Sequence, residues 1–313
     1  MALKINENVL LKNFSTFKIG GMARYFCIVK TKEELTEALN FCQSKKIRFF
    51  ILGGGSNVLF ADAGFDGLVI RMENDSINLL ENENSIRCQA GARLRDLVKF
   101  FLEKNLSGME WATGIPGSVG GAIRGNAGIG AGKEAVDSVK KVKVFEIPGG
   151  EIKEKSLHKE ECQFDYRNSI FKENRDLLIW SADFGFEKGD KEKLLETFFQ
   201  ILEKRKKNQP LEYPSAGSVF QNPKANQKLI DQFEKDSGMK CRGEKVPAGW
   251  LIEQCGMKGK KIGGAKVSEK HANFIVNLGD ASADDVVILI SLIKQKARNL
   301  FGIQMREEIE IVL

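Results

Sequence analysis

The sequence predicts a mixed α and β protein built from more than one domain. Three observations carry that prediction. Amphipathic helical runs alternate with short strand-forming runs along the chain, and 313 residues exceed the usual domain size of roughly 100 to 200. A helix whose last turns collect Lys and Arg is stopped by Pro210, where the main domain boundary is expected.

The elements follow in order. TKEELTEALNFCQSKK opens with a capping box, Thr31 and Glu34, and puts Leu35, Ala38, Leu39 and Cys42 on one helical stripe. It leads into IRFFIL, an apolar run of strand length that delivers the chain to GGGSN, residues 53–57. That loop therefore follows a strand end, where open sheets containing parallel strands commonly bind ligands. GARLRDLVKFFLEKN repeats Leu94, Leu97, Val98 and Phe101 at helical spacing, between the strands SIRCQA and VKKVKVFEI. DKEKLLETFFQILEKRKKNQP is the helix that ends at Pro210. Beyond it come a helix in PAGWLIEQC, with Pro247 near its first turn and Gly256 after it, the strand NFIVN, a long helix from Ser282, and a closing strand in MREEIEIVL.

With 42% apolar and 29% charged residues the composition is that of a globular protein, which excludes disordered and fibrous classes. No apolar run approaches the roughly 18 residues of a membrane span, and MALKINENVLLKN lacks the apolar core of a secretory signal, so a cytoplasmic location is expected. Six cysteines lie far apart with no C-x-x-C pair, and His158 and His271 are the only imidazoles, so no metal site is expected. The net charge of +6 is dispersed among nearly as many acids, which favours an anionic small substrate over nucleic acid.

Gly53 to Asn57 matches neither a G-x-G-x-x-G turn opening a helix nor a G-x-x-x-x-G-K-[ST] loop. Alone it fits a tight turn or a close approach of backbone to ligand. GIPGSVGGAIRGNAG, from Gly114 to Gly128, carries six glycines with small residues between them. Two such loops in one lobe point to a long phosphate-bearing ligand, because a pyrophosphate needs several N–H donors at short range. CQFDYRNSIF puts Tyr166 and Arg167 in a polar patch ahead of the strand DLLIWSADF. PSAGSVFQNP puts Ser218 after Gly217 without a G-x-S-x-G elbow, and two histidines leave a Ser-His-Asp triad hard to assemble. In REEIEIVL, Glu308 stands near Glu307 and Glu310, a pattern that by itself reads as a solvated edge.

GGGSN, GIPGSVGGA, YRNS, AGSVFQNP and a Glu near the C-terminus, in this order and over essentially the whole chain, resemble the UDP-N-acetylenolpyruvoylglucosamine reductase family. The resemblance implies an α+β fold: an FAD-binding lobe of the vanillyl-alcohol-oxidase (PCMH) type and a smaller α+β C-terminal substrate lobe. The implied divisions are FAD-binding subdomains at 1–70 and 71–207 and a substrate-binding domain at 208–313. Noncovalent FAD would be held by Gly53, Gly54, Gly55, Ser56 and Asn57 in the first loop and by Gly114, Pro116, Gly117, Ser118, Gly121 and Ala122 in the second. Arg167 would hold the enolpyruvyl carboxylate, Ser218 would be the proton donor and Glu308 the active-site glutamate, with Tyr166 and Asn222 contacting substrate. NADPH would be the hydride donor, UDP-N-acetylglucosamine enolpyruvate the substrate, and the enzyme a cytoplasmic monomer.

The chain also departs from the family pattern. Glu310 stands where the family more often has arginine and Glu307 where it has proline, and the stretch 223–245 is longer than in many relatives. The tyrosine-bearing insertion of one branch is missing, so no gating tyrosine loop is expected. Two other readings remain open at this level: a flavin oxidase of the same FAD fold acting on an alcohol or sugar, and a non-catalytic nucleotide-binding module. A covalent histidine tether in the N-terminal lobe is disfavoured, because His158 is the first histidine.

Overall fold

A helix needs partners for its first N–H groups, and Thr31 supplies one for the first helix of the chain. Its hydroxyl accepts from the Glu34 N–H while the Glu34 carboxylate accepts from the Thr31 N–H, which starts the helix Lys32–Lys45. The structure is a computed structural model that describes residues 3–80, 84–128, 132–147 and 152–313. In it the stripe Leu35, Ala38, Leu39 and Cys42 is buried with Cys27, Val29, Leu68 and Ile70 of a four-stranded sheet. The strands of that sheet lie in the order Ile5–Leu10, Met22–Val29, Phe65–Met72 and Phe49–Leu52, and the last two pair in parallel.

A second, five-stranded antiparallel sheet has the order Lys153–His158, Val139–Glu146, Leu177–Gly185, Ser85–Gln89 and Ile77–Leu80. The helix Leu94–Glu103 covers it with Leu94, Leu97, Val98 and Phe101, the stripe that the sequence predicts. One strand of this sheet serves two cores. Leu177 and Ile179 face the second core while Leu178 and Trp180 join the first; beyond a register shift between Ile179 and Ser181, Ala182 and Phe184 face the second. An extra residue in a strand reverses which side chains face which side, and here it lets Trp180 reach one core without turning Phe184 out of the other. On the same strand Asp183, 4% exposed, is gripped by its cross-strand partner, the half-buried Arg87 of Ser85–Gln89, with Nε to Oδ1 2.7 Å and Nη2 to Oδ2 2.8 Å.

The chain divides into two compact units. The first comprises 1–9, 23–54 and 66–205, and the second 10–22, 55–65 and 206–313. The chain thus changes units inside the first glycine loop, and two early segments that a linear cut at 70 assigns to the first lobe belong to the second unit. In that unit a four-stranded sheet has the order Ser215–Ser218, Phe274–Asn277, Ala265–Val267 and Lys261–Ile262. The helix Ala283–Phe301, started by a capping box of Ser282 and Asp285, buries Val286, Leu289, Ile290, Ile293 and Ala297 in the same core. Phe17, Ile19 and Leu59 of the early segments lie in that core too.

The structure departs locally from the sequence-based elements. Glycine-rich 114–128 contains the helix Val119–Arg124, and 223–245 contains the helix Gln227–Ser237, capped by Asn226. A short helix, Ile170–Glu173, precedes the strand after Arg167. Only Glu310–Val312 of MREEIEIVL is a regular strand, paired in parallel with a strand not anticipated, Val58–Phe60. The residues ahead of it are drawn instead to the segment after Ser218.

The Arg87–Asp183 pair sets a first prediction. Arg87→Met leaves the buried carboxylate unpaired and should cost about 2–3 kcal/mol in urea unfolding, whereas Arg87→Met with Asp183→Leu should cost less than Arg87→Met alone. Equal losses would show that the carboxylate tolerates burial alone.

Candidate functional site

In the first unit the two glycine loops meet backbone to backbone. A Cβ built on Gly54 would stand 2.5 Å from Gly117 Cα, and one on Gly53 would stand 2.2 Å from Ser118 Oγ. Both positions are therefore closed to side chains by the fold itself. Ser118 is the N-cap of Val119–Arg124, its hydroxyl accepting from the Gly121 N–H at 3.4 Å. Gly121 is a different case. It is exposed, and a Cβ there would meet only Ser118 Oγ, at an ordinary 3.6 Å. Gly54 and Gly121 are thus both side-chain-free backbone at the surface.

Arg167 lies in the same unit, with a left-handed backbone at φ 55°. Its guanidinium donates to the Asn126 carbonyl at 3.1 Å, the Gly128 carbonyl at 2.9 Å and Glu134 Oε1 at 3.1 Å, and it lies 5.3 Å from the centre of the Tyr166 ring. Buried Asn126 joins this network, its Nδ2 donating to Glu134 Oε2 at 2.8 Å and to the Asp165 carbonyl at 3.0 Å. Arg167 and Tyr166 are thereby fastened to the tail of the second glycine loop. Glu134 and Asn126 escape the sequence reading, because neither carries a recognisable motif role.

The second unit holds Ser218 and Glu308. Gly217, at φ 77° with nothing near its missing Cβ, is required by conformation alone, and it turns the strand Ser215–Ser218 into the segment that follows. That segment is clamped from both sides. Val219 N–H donates to the Asn273 carbonyl at 2.8 Å, and Asn273 exchanges side-chain hydrogen bonds with Phe220 at 3.0 and 2.8 Å. On the other side Glu308 N–H donates to the Val219 carbonyl at 2.7 Å and Gln221 N–H to the Arg306 carbonyl at 3.0 Å. Ser218 and Glu308, ninety residues apart in sequence, are thus carried on adjacent backbone.

Asn57 completes the arrangement. Its Nδ2 donates to the Glu308 carbonyl at 3.0 Å, and its own carbonyl accepts from Glu310 N–H at 2.9 Å. Gly55 and Thr16 are tied in as well: Thr16 N–H donates to the Gly55 carbonyl at 2.9 Å and Thr16 Oγ1 to the Ser215 carbonyl at 2.7 Å. Asn222 Oδ1 accepts from Ala248 N–H at 2.9 Å and so satisfies the start of the helix Ala248–Gln254. The acidic run around half-buried Glu308 is moderated by Lys294, which pairs with Glu307 at 2.7 Å.

His271 packs edge-on against Phe274, with ring centres 4.9 Å apart, and accepts from Asn273 N–H at 3.3 Å through Nδ1; burial holds its pKa below the ordinary value. Burial also pushes the Cys27 and Cys162 thiols up to about 12 and Cys42 to about 11, so these remain protonated at neutral pH. Among the described residues no group of three His, Cys, Asp or Glu side chains is arranged to hold a metal ion, and no helix is long and apolar enough to cross a membrane.

Residues 23–156 match the family described as "FAD binding domain", and residues 209–312 match "UDP-N-acetylenolpyruvoylglucosamine reductase, C-terminal domain". The chain is 39% identical to the UDP-N-acetylenolpyruvoylglucosamine reductase of Carboxydothermus hydrogenoformans over 306 residues, covering 98% of this chain and 93% of that one. It is 40% identical to the reductase of the same name from Thermosipho melanesiensis over 307 residues, covering 98% and 95%. Its structure is similar to the crystal structure of UDP-N-acetylenolpyruvylglucosamine reductase from Thermus caldophilus, with a TM-score of 0.77, 31% identity and coverage of 99% and 100%.

Two predictions follow from the local geometry. Gly54→Ala should lower stability by about 2 kcal/mol, because its methyl meets the backbone of Gly117, while Gly121→Ala should leave the melting temperature unchanged or slightly raised. Thermal melts of the two variants check this, and equal losses would contradict it. For His271, the unfolded chain takes up a proton before the folded one as pH falls below about 6.5, so this residue subtracts stability in acid and nothing above that pH. His271→Gln should therefore flatten the fall in melting temperature between about pH 7 and pH 5.

Proposed function

The chain belongs to the UDP-N-acetylenolpyruvoylglucosamine reductase family, and from that premise we propose that it reduces UDP-N-acetylglucosamine enolpyruvate to UDP-N-acetylmuramate, a peptidoglycan precursor, with bound FAD and with NADPH as hydride donor. The observation that carries this reading is a likeness that runs through both the FAD-binding part and the C-terminal domain. A flavin oxidase of the same FAD fold has no claim on the second of these.

The exposed bare backbone at Gly54 and Gly121, flanked by the short side chains of Ser56 and Ser118, fits the diphosphate of FAD. Bound FAD supplies the hydride-relay chemistry that no side chain here provides. We assign its binding to residues 53–57 and to the loop from Gly114 to Ala122. We assign the domain roles as 1–70 and 71–207 for the two FAD-binding subdomains and 208–313 for the substrate-binding domain, with the early segments 10–22 and 55–65 grouped by their contacts with the last of these.

Hydride addition at C3 of the enolpyruvyl group leaves negative charge spread over C2 and the carboxylate. Arg167 neutralises the carboxylate with its planar fork of donors, and Tyr166 and Asn222 contact the rest of the substrate. Glu308, protonated or bridging a donor, stabilises the enol. Ser218 then gives its proton to C2. A serine hydroxyl is a weak acid, so the transfer depends on a preorganised site of low dielectric. The hydrogen bond from Glu308 N–H to the Val219 carbonyl supports this pairing of roles, because it fixes the two residues on neighbouring backbone. The same reading makes the enzyme a cytoplasmic monomer, in keeping with its use of NADPH.

The purified protein should be yellow and should release its flavin on acid precipitation. Under anaerobic stopped flow, NADPH should bleach the flavin and the enolpyruvyl nucleotide should restore its colour. Ser218→Ala should keep the first step and slow the second by at least about 100-fold. Restoration of colour at the wild-type rate would remove Ser218 from the proton transfer, and failure of the enolpyruvyl nucleotide to reoxidise wild-type enzyme would refute the function.

A further inference from the structure

Arg205 sits in the last turn of the helix Lys191–Asn208 and crosses Gly114, the first glycine of the second loop. Gly114 holds φ at 70°, and a Cβ on it would stand 2.9 Å from Arg205 Cδ, 3.0 Å from its Nε and 3.1 Å from Leu202 Cδ2. Any side chain at 114 would displace the arginine, so the loop and the helix are fitted to each other at this point.

The side chain is half-buried, and burial pulls its pKa below the ordinary arginine value, with no neighbouring charge acting in the opposite direction. Among the described residues it has no ion pair, hydrogen bond or ring contact. Other partly buried arginines of the first unit are matched: Arg71 with Glu73, Arg87 with Asp183 and Arg167 with Glu134. A partly desolvated cation without a counter-charge is costly, and here it lies beside the side-chain-free backbone of Gly114, an arrangement that makes half of an anion site.

We infer that Arg205 is an anion-binding residue of the second glycine loop, holding a diphosphate-bearing nucleotide against the side-chain-free backbone at Gly114. The inference rests on the functional reading above, in which FAD, NADPH and the UDP-linked substrate all carry a diphosphate. Gly114 lies within the segment that matches an FAD-binding domain, which makes the FAD diphosphate the first source to test. The planar fork of arginine suits it to two phosphate oxygens at once, which a lysine ammonium does not match.

A purely structural role would have the stem pack on Leu202 and Gly114 with the head group reaching water. Arg205→Met separates the two, since it keeps most of the stem and removes the charge. In the full-length chain stripped of flavin, Arg205→Met should weaken FAD and ADP by about 10- to 100-fold and leave riboflavin, which has no phosphate, unchanged. Arg205→Lys should recover part of the loss, and added KCl should weaken FAD binding to wild type more steeply than to Arg205→Met.

If FAD and ADP are unaffected and NADPH or UDP binding to the FAD-loaded enzyme weakens by the same factor, the guanidinium serves that nucleotide's diphosphate instead. Equal affinities of wild type and Arg205→Met for FAD, NADPH and UDP overturn the inference. Should circular dichroism show Arg205→Met unfolded, Arg205→Lys carries the same comparison. A wild-type chain that binds FAD no better than riboflavin defeats the functional reading and this inference together. With wild-type FAD binding intact, an unaffected variant defeats only the role of Arg205.

Discussion

The close approach of Gly53–Gly54 to Gly117–Ser118 fixes the two glycine loops of the first unit against each other. The first loop ends a strand of the four-stranded sheet, and the second leads into a helix buried against the core of the five-stranded sheet. With a Gly54 Cβ excluded at 2.5 Å, the loops approach more closely than any side chain permits, and bare backbone at this point is a by-product of that approach. Three adjacent glycines therefore answer two demands. Gly53 and Gly54 are required for packing between loops, and Gly55, at φ 64° and 2.1 Å from the Phe14 carbonyl for any added Cβ, is required by the turn toward the second unit's segments.

The second unit solves a different problem, which is to hold Ser218 and Glu308, on segments ninety residues apart, beside each other. It does so with backbone hydrogen bonds rather than side-chain packing. The Val219 carbonyl accepts from Glu308, Asn57 bonds the Glu308 carbonyl, and Asn273 holds Phe220 from the opposite side. Such bonds fix direction as well as distance. Asn57, at the end of the first glycine loop, has a structural duty: its side chain anchors the segment that carries Glu308.

Much of the fold was legible because it is written at short range. The stripes Leu35, Ala38, Leu39, Cys42 and Leu94, Leu97, Val98, Phe101 are buried as their helical spacing requires, and the capping boxes at Thr31 and Ser282 start helices where their residues predict. What was not legible depends on distant partners. Nothing local marks Phe17, Ile19 and Leu59 as members of a core built mostly from residues beyond 215. The helix Val119–Arg124 is obscured by its glycines, which argue against a helix until Ser118 caps it. Among the candidate site residues the motifs named Arg167, Ser218 and Glu308, but not Glu134, Asn126 or Asn273, whose contributions lie in hydrogen bonds to residues far off in sequence.

The strand Leu177–Gly185 contributes Leu178 and Trp180 to one core and Leu177, Ala182 and Phe184 to the other. Two hydrophobic clusters that share one strand cannot melt independently, because fraying the strand exposes apolar surface on both sides at once. The first unit therefore loses structure as a single cooperative block, and its sheets cannot be separated at this strand, whether by proteolysis, by circular permutation or by recombination between relatives, without breaking both cores.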